Sequence, residues 1–337
     1  MTIRRSVTRV WAVFKARNLE YLRDRASFGW NLVFPILIVL ALAVVFSGPP
    51  TGIFSITYLG AQDARPALLD FPGVDTVDAT ETTRALDRLA RQQTDMVIAV
   101  AEGEVRYWIN GYSAAGALTE QLLKFSESRP LISGRTEGDG IRYIDWVIPG
   151  ILGMNMMYSA LWGVGYVVVR YRQAGYLKRL KATPLTKFEF LSAQVMSRLM
   201  VTLSASTIVF VGTNVVLDYK MVGSIWLLVL IALIGALSMI TMGLAIASRT
   251  ESKEFADGLL NALTFPMLLL SEVWFSLEGS PDWVQWIAAT LPLTHMLDAA
   301  RAVMLDDAGL LEIAPNLAVL LGFCVVGMGL STRLFKW

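Results

Sequence analysis

Arg170–Leu191, RYRQAGYLKRLKATPLTKFEFL, is a basic segment set between two long apolar ones. Six of its 22 residues are Lys or Arg (Arg170, Arg172, Lys178, Arg179, Lys181 and Lys187), and Glu189 alone opposes them. A charged turn joining two membrane helices at the cytoplasmic surface would look similar in composition. This segment carries more order than such a turn needs. Gly175 precedes an amphipathic run in which Tyr176, Leu177 and Leu180 lie opposite Lys178, Arg179 and Lys181. Thr183-Pro184 stops that helix, because the residue before a proline is pushed out of the α region. Thr186 is placed to cap the next helix, and Glu189, three residues on, completes a capping box. A short basic helix lying flat beneath a membrane offers a grip to a soluble partner.

The segments on either side explain why a membrane is expected. Residues 144–169 include 24 uncharged positions from Trp146 to Val169, and 191–217 are interrupted only by Arg198. Such lengths cross a hydrocarbon core of about 30 Å at about 1.5 Å per residue. Further spans are expected at 28–47, 224–247, 255–277 and 311–332, giving six. Between the last two, Trp283 to Met296 is uncharged for only 14 residues and contains Pro292. That is too short to cross, so 278–309 is expected to form an outer re-entrant helical hairpin. Residues 1–27 carry seven Lys/Arg, with aromatic and aliphatic residues at mostly helical spacing, the pattern of an amphipathic helix in the interface. No cleaved signal peptide is expected there.

Residues 48–143 differ. Charges return and the apolar periodicity alternates, so a small extracytoplasmic α/β domain is expected. Its strands are expected at Ile53 to Leu59, Val74 to Val77, Thr94 to Val100 and Val105 to Ile109, the last two joined about Glu102-Gly103. Helices are expected at Ala64 to Phe71, Thr80 to Gln92 and Ala114 to Phe125.

Charge sets the orientation. The segments 1–27, 170–190, 248–254 and 333–337 hold 17 Lys/Arg, against one each in 218–223 and 277–309. Positive-inside therefore puts both termini in the cytoplasm and 48–143 outside. The nine basic residues of 47–144 do not oppose this, since long translocated domains escape the rule.

Composition excludes several functions. The chain has 337 residues, 55% hydrophobic and 17% charged, and a mean hydropathy of +0.53, too apolar for a soluble protein of this length. A net charge of +1 argues against a nucleic-acid partner. One cysteine, Cys324, excludes an internal disulfide, and one histidine, His295, makes a histidine metal cluster implausible. No phosphate-binding G-x-x-x-x-G-K-[ST] occurs, so any nucleotide energy must come from another polypeptide.

With this layout the chain resembles the permease subunit of ABC type-2 transporters, the type V exporter fold. Three stretches carry the resemblance: GYLKRLKATPLTKFEFL (Gly175 to Leu191), RDRASFGWNLVFPI (Arg23 to Ile36), and Phe265 to Leu305. They are similar to the family's coupling segment, to its elbow-to-first-span entry, and to its fifth span with outer re-entrant helices. At the family's usual "SG" near the end of the fifth span stands Ser271-Glu272. The resemblance implies an α-helical polytopic membrane protein with six transmembrane helices, an N-terminal amphipathic elbow helix and re-entrant outer helices. It further implies an exporter in the cell inner (plasma) membrane that moves an amphipathic drug, natural product or lipid. A homodimer would couple to a separate cytoplasmic ABC ATPase, which holds the ATP and magnesium; no cofactor or metal is expected here. The alternative is a non-transporting complex that passes force or signal to an extracytoplasmic partner through residues 52–143.

Candidate sites follow. Coupling to the ATPase falls to Gly175, Tyr176, Leu177, Lys178, Arg179, Leu180, Lys181, Thr183, Pro184 and Lys187. Glu272, Arg198, Asn155 and Phe275 are candidates for a substrate pathway or gate. For Glu272 two readings stand side by side, a cation-binding or gating carboxylate and a group solvated at the outer interface. Arg198, about eight residues into its span, is expected to snorkel to the interface or to pair with Glu272 or lipid phosphate. Pro292, His295, Asp298 and Arg301 belong to the outer hairpin, the last three as an expected local ion-pair network.

Overall fold

The computed structural model describes residues 2–45, 54–61, 64–79, 81–90, 94–101, 104–111, 113–136, 143–217, 219, 221–250, 252–277 and 280–336. Two compact units divide it, Val44–Tyr143 and the remainder, Met1–Ala43 with Ile144–Trp337.

The larger unit is helical. α1 (Thr2–Arg23) and α2 (Arg25–Val45) open it, and after the inserted unit come helices that the labels below take up in chain order. The inserted unit, Val44–Tyr143, holds β1 (Phe54–Leu59), β2 (Val74–Asp78), α3 (Thr82–Ala90), β3 (Met96–Ala101), β4 (Glu104–Asn110), α4 (Ala114–Ser126) and β5 (Leu131–Thr136), with a short 3-10 turn at Ala67–Asp70. The strands form one sheet in the order β2-β1-β3-β4-β5. β1 runs parallel to β2 and β3, β3 and β4 are antiparallel, and β4 is parallel to β5. Period-two alternation gives the sheet two apolar faces. Ile56, Tyr58, Met96 and Ile98 pack with Leu68 and Leu123 in one core; Val97 and Leu59 pack with Ala85 and Leu89 of α3 in another. Ser113 caps α4, its hydroxyl accepting from the Gly116 N–H at 3.0 Å. The turn expected at Glu102-Gly103 lies outside the described residues. Sequence reasoning missed β5, a half-exposed edge strand with no buried residue and with Gly134 in its middle. A Cβ at Gly134 would stand 2.2 Å from the Trp108 ring, so the ring lies across a strand too bare to read as one.

The larger unit continues with α5 (Tyr143–Gln173), α6 (Tyr176–Lys181), α7 (Lys187–Leu217), α8 (Ile225–Ala247), α9 (Lys253–Leu270), α10 (Asp282–Ala288), α11 (Pro292–Asp306) and α12 (Leu310–Leu334). Among the described residues four helices are long and apolar enough to cross a membrane, within α5, α7, α8 and α12. α5 is the most enclosed of them. Close approach is built into it: a Cβ at Gly150 would come 2.3 Å from the Val273 carbonyl oxygen. α2 contributes a shorter apolar stretch, Leu32–Ala41. α9 differs from the continuous span expected over 255–277. It starts at Lys253 and ends at Leu270, and Ser271 to Leu277 follow without helix. The break falls where Glu272 takes a left-handed backbone, φ 54°, which ends an α-helix. Pro292 opens α11 in its first turn, a position where the missing N–H costs nothing.

Candidate functional site

At one end of the helical unit the chain ends of α5, α7, α8 and α12 meet around the basic segment. Gly175 follows α5 at φ 67°, the left-handed conformation glycine adopts freely, and turns the chain into α6. α6 is one and a half turns long. Leu177 is fully buried, while Lys178, Arg179 and Lys181 are exposed and Leu180 is half-buried. The Tyr176 ring rests 4.9 Å from that of Tyr171. Thr183 Oγ1 donates to the Leu180 carbonyl at 2.6 Å, and exposed Pro184 follows.

The reciprocal cap is present at the start of α7. The Thr186 N–H donates to Glu189 Oε2 at 2.8 Å, and the Glu189 N–H to Thr186 Oγ1 at 3.2 Å. Glu189 does more than cap. Arg9 of α1 lies 3.2 Å from its Oε2, the Ser6 hydroxyl donates to Oε1, and Arg9 also donates to the Pro184 carbonyl. Farther along, Ser197 Oγ donates to Asn18 Oδ1 at 3.0 Å, so α1 follows the first turns of α7.

Arg172, at the end of α5, is the residue here whose role sequence reasoning missed. Its guanidinium donates to the carbonyls of Ala247, Ser248 and Lys336 at 2.9 Å each, and to that of Thr250. Lys187 Nζ donates to the Phe335 carbonyl at 2.7 Å, and the Lys336 N–H to the Ser248 carbonyl at 3.1 Å. The carbonyl-rich C-terminal ends of α8 and α12 are thus held by cations from α5 and α7, where the helix dipole favours positive charge. No local signal marks these bonds, whose partners are 75 to 164 residues from Arg172.

At the other end, Glu272 holds a junction. Its Oε1 accepts from the Leu277 N–H at 2.9 Å, its Oε2 lies 3.6 Å from Arg301 Nη1, and its carbonyl accepts from Arg301 Nη2. The Arg301 guanidinium stacks 3.8 Å from the centroid of Trp146, in the first turn of α5, and its Nε donates to the Trp146 carbonyl at 3.3 Å. α5, the end of α9 and α11 are tied together there. The side chain the sequence places with Glu272 as an alternative, Arg198, is not its partner.

Among the described residues no hydrogen bond or close ion pair joins His295, Asp298 and Arg301 to one another, although the charges of Arg301 and His295 both act on the Asp298 carboxyl. His295 Nδ1 meets Asn316 Oδ1 at 2.9 Å and its Nε2 meets the Ala289 carbonyl at 2.9 Å, Asp298 is exposed, and Arg301 turns to Glu272. Phe275 is about half exposed, at 51%. Arg198 does not snorkel. It is buried, its Nε donating to the Ser159 carbonyl and its Nη2 to Ser159 Oγ at 2.6 Å, with the Tyr21 ring 5.8 Å away. Snorkelling fails because α1 covers this part of α7 and because Gly163 leaves room: a Cβ there would stand 1.9 Å from Arg198 Cζ. Arg198 and Asn155 both line a cavity of about 1030 Å³ among α1, α2, α5, α7 and α9.

Among the described residues, four membrane-length apolar helices, a helical unit clamped at both ends and a large, partly open cavity define a polytopic helical membrane protein. Residues 89–305, more than half of the chain, match the family model described as ABC-2 type transporter, and the chain belongs to that family. It is 26% identical over 165 residues to "Probable multidrug ABC transporter permease YbhR" of Escherichia coli K12, covering 49% of this chain and 45% of that protein. It is 27% identical over 168 residues to "Inner membrane transport permease YhhJ" of the same strain, covering 50% and 45%. It is 26% identical over 173 residues to "ABC transporter G family member 20" of Dictyostelium discoideum, covering 50% and 23%. The matched region is thus less than half the length of each of these relatives.

Proposed function

We propose that this chain is the membrane subunit of an ATP-driven ABC exporter in the inner (plasma) membrane. Six spans place both termini in the cytoplasm, residues 48–143 outside, and Gly175 to Lys187 against a separate cytoplasmic ATPase that holds ATP and magnesium. A second copy completes the translocation pathway, and the cargo is amphipathic. One observation carries this reading: α6 presents Lys178, Arg179 and Lys181 outward, while Leu177 anchors it and the adjoining cap ties it to α1. Arg172, three residues before Gly175, links the same segment to the ends of α8 and α12. A push on α6 is therefore delivered to four long helices together, because rigid helices transmit displacement where loops absorb it. The names of the bacterial relatives, a multidrug permease and an inner membrane permease, support the cargo class and the location.

The test uses the purified chain with its ATPase in proteoliposomes. The chain alone should hydrolyse no ATP. Arg179→Glu combined with Leu180→Asp should leave ATPase activity present but abolish ATP-driven transport. Unchanged transport by that variant would contradict the assignment of α6.

A further inference from the structure

The cavity contains a cation that no carboxylate among the described residues neutralises. Arg198 is 7% exposed, and its polar partners are the carbonyl and hydroxyl of Ser159, both neutral. It makes no ion pair with a described carboxylate. Two more donors on the same wall have no hydrogen-bond partner among the described residues: Nδ2 of Asn155, a residue 8% exposed, and Trp162 Nε1. Asn155, Ser159 and Trp162 stand at i, i+4 and i+7 of α5, so they share one face, and Arg198 reaches that face from α7 across Gly163. The rest of the wall is largely apolar and aromatic, with Phe34, Tyr158 and Trp274 among it.

Each element could be merely structural, but together they are not explained that way. The Ser159 carbonyl lies inside α5, and its hydroxyl also meets Thr202 Oγ1 at 3.0 Å, so neither requires a guanidinium. An uncompensated charge at membrane depth is costly, and such residues face a partner or a wet cavity. Three acids also line the cavity: Glu20 is paired with Arg17 and Arg170, Asp24 stands just past the end of α1, and the third, Asp257, has an oxygen with no hydrogen-bond partner among the described residues. It lies one turn into α9, whereas Arg198 lies three turns into α7, both counted from the basic end. At about 1.5 Å per residue Asp257 lies about 10 Å nearer the start of its helix than Arg198 does.

From this we infer that Arg198, Asn155 and Trp162 form a binding site for the anionic head of an amphipathic molecule, a phosphate, carboxylate or sulfonate, whose apolar body lies against Phe34, Tyr158 and Trp274. The guanidinium supplies charge and paired donors, the amide and indole supply the remaining N–H groups, and the low dielectric of the surroundings strengthens all of them. As a statement about cargo this rests on the exporter reading above; as a statement about binding it does not.

The test measures binding to the full-length chain in phosphatidylcholine nanodiscs, without ATPase or nucleotide. The probes are 11-bromoundecyl phosphate and 11-bromoundecyl trimethylammonium, read by quenching of tryptophan fluorescence. The phosphate should bind saturably and more tightly than the ammonium compound. Arg198→Gln should weaken phosphate binding by roughly tenfold or more, with Arg198→Lys intermediate and the ammonium compound unaffected. Gly163→Ala displaces the guanidinium while leaving the charge in place, so it should weaken the phosphate as well; it also serves if Arg198→Gln fails to fold. Equal affinity for the two probes, or phosphate binding unchanged by Arg198→Gln or Gly163→Ala, overturns the inference. Adding phosphatidylglycerol to the nanodiscs identifies the source of the anion: competition points to a bilayer lipid, and no competition points to cargo. If the phosphate fails to bind while the α6 variant uncouples transport, the site falls and the exporter reading stands. The reverse pair of results separates them the other way.

Discussion

Arg301 and Arg198 are buried to the same extent, each 7% exposed, and both lie among the helices of one unit. Arg301 has a carboxylate 3.6 Å away, an aromatic face at 3.8 Å and two backbone carbonyls, all supplied by Glu272 and Trp146 from two distant parts of the chain. Arg198 has one serine and the Tyr21 ring 5.8 Å away, with no carboxylate partner among the described residues. A buried arginine with a carboxylate among its partners ties elements together. One left with spare donors beside a cavity awaits something from outside. Burial alone does not distinguish the two; the inventory of acceptors does.

Substitutions break or sharpen that contrast. Arg301→Ala should have the largest effect, lowering the stability of the solubilised chain by about 3 kcal/mol in thermal or denaturant unfolding, because Glu272 loses its counter-charge and the junction with Trp146 opens. Glu272→Gly should cost less, about 1 kcal/mol. Glycine relieves the left-handed backbone at φ 54° and keeps the carbonyl that accepts from Arg301, but removes the carboxylate beside Arg301 and the acceptor for the Leu277 N–H. A stability gain from Glu272→Gly would make the carboxylate a strained passenger and not a junction. Gly175→Ala should also cost about 1 kcal/mol, purely through its φ of 67°, since an added Cβ there meets nothing within 4 Å. It should also reduce coupled transport by tilting α6. Arg198→Met should have the smallest effect on stability, within about 0.5 kcal/mol, since an apolar side chain of similar length replaces an uncompensated charge. A loss comparable to that of Arg301→Ala would move Arg198 to the structural side of the comparison.

The sequence revealed what depends on near neighbours. The cap formed by Thr186 and Glu189, the turn at Gly175 and the exposed face of α6 follow from spacing within a dozen residues. So do most strands of the inserted unit, whose alternation matches its two cores. What was hidden depends on distant partners. Arg172 reads as one more positive charge, yet it holds carbonyls on α8 and beyond α12. Glu272 reads as a charge inside a continuous span, but the backbone bond from Arg301, 29 residues away, accompanies the break after Leu270. Arg198 reads as a long side chain near an interface, and only the packing of α1 and the absence of a Cβ at Gly163 keep it inside.

The central claim, that α6 is a cytoplasmic handle on a membrane-embedded bundle, is tested most directly by labelling intact cells with a membrane-impermeant maleimide. The background carries Cys324→Ser, and single cysteines are introduced by Arg179→Cys in α6 and Leu122→Cys in α4, at positions that are exposed. The account predicts that residue 122 labels in intact cells and residue 179 only after the membrane is permeabilised. Labelling of both from the same side would contradict it.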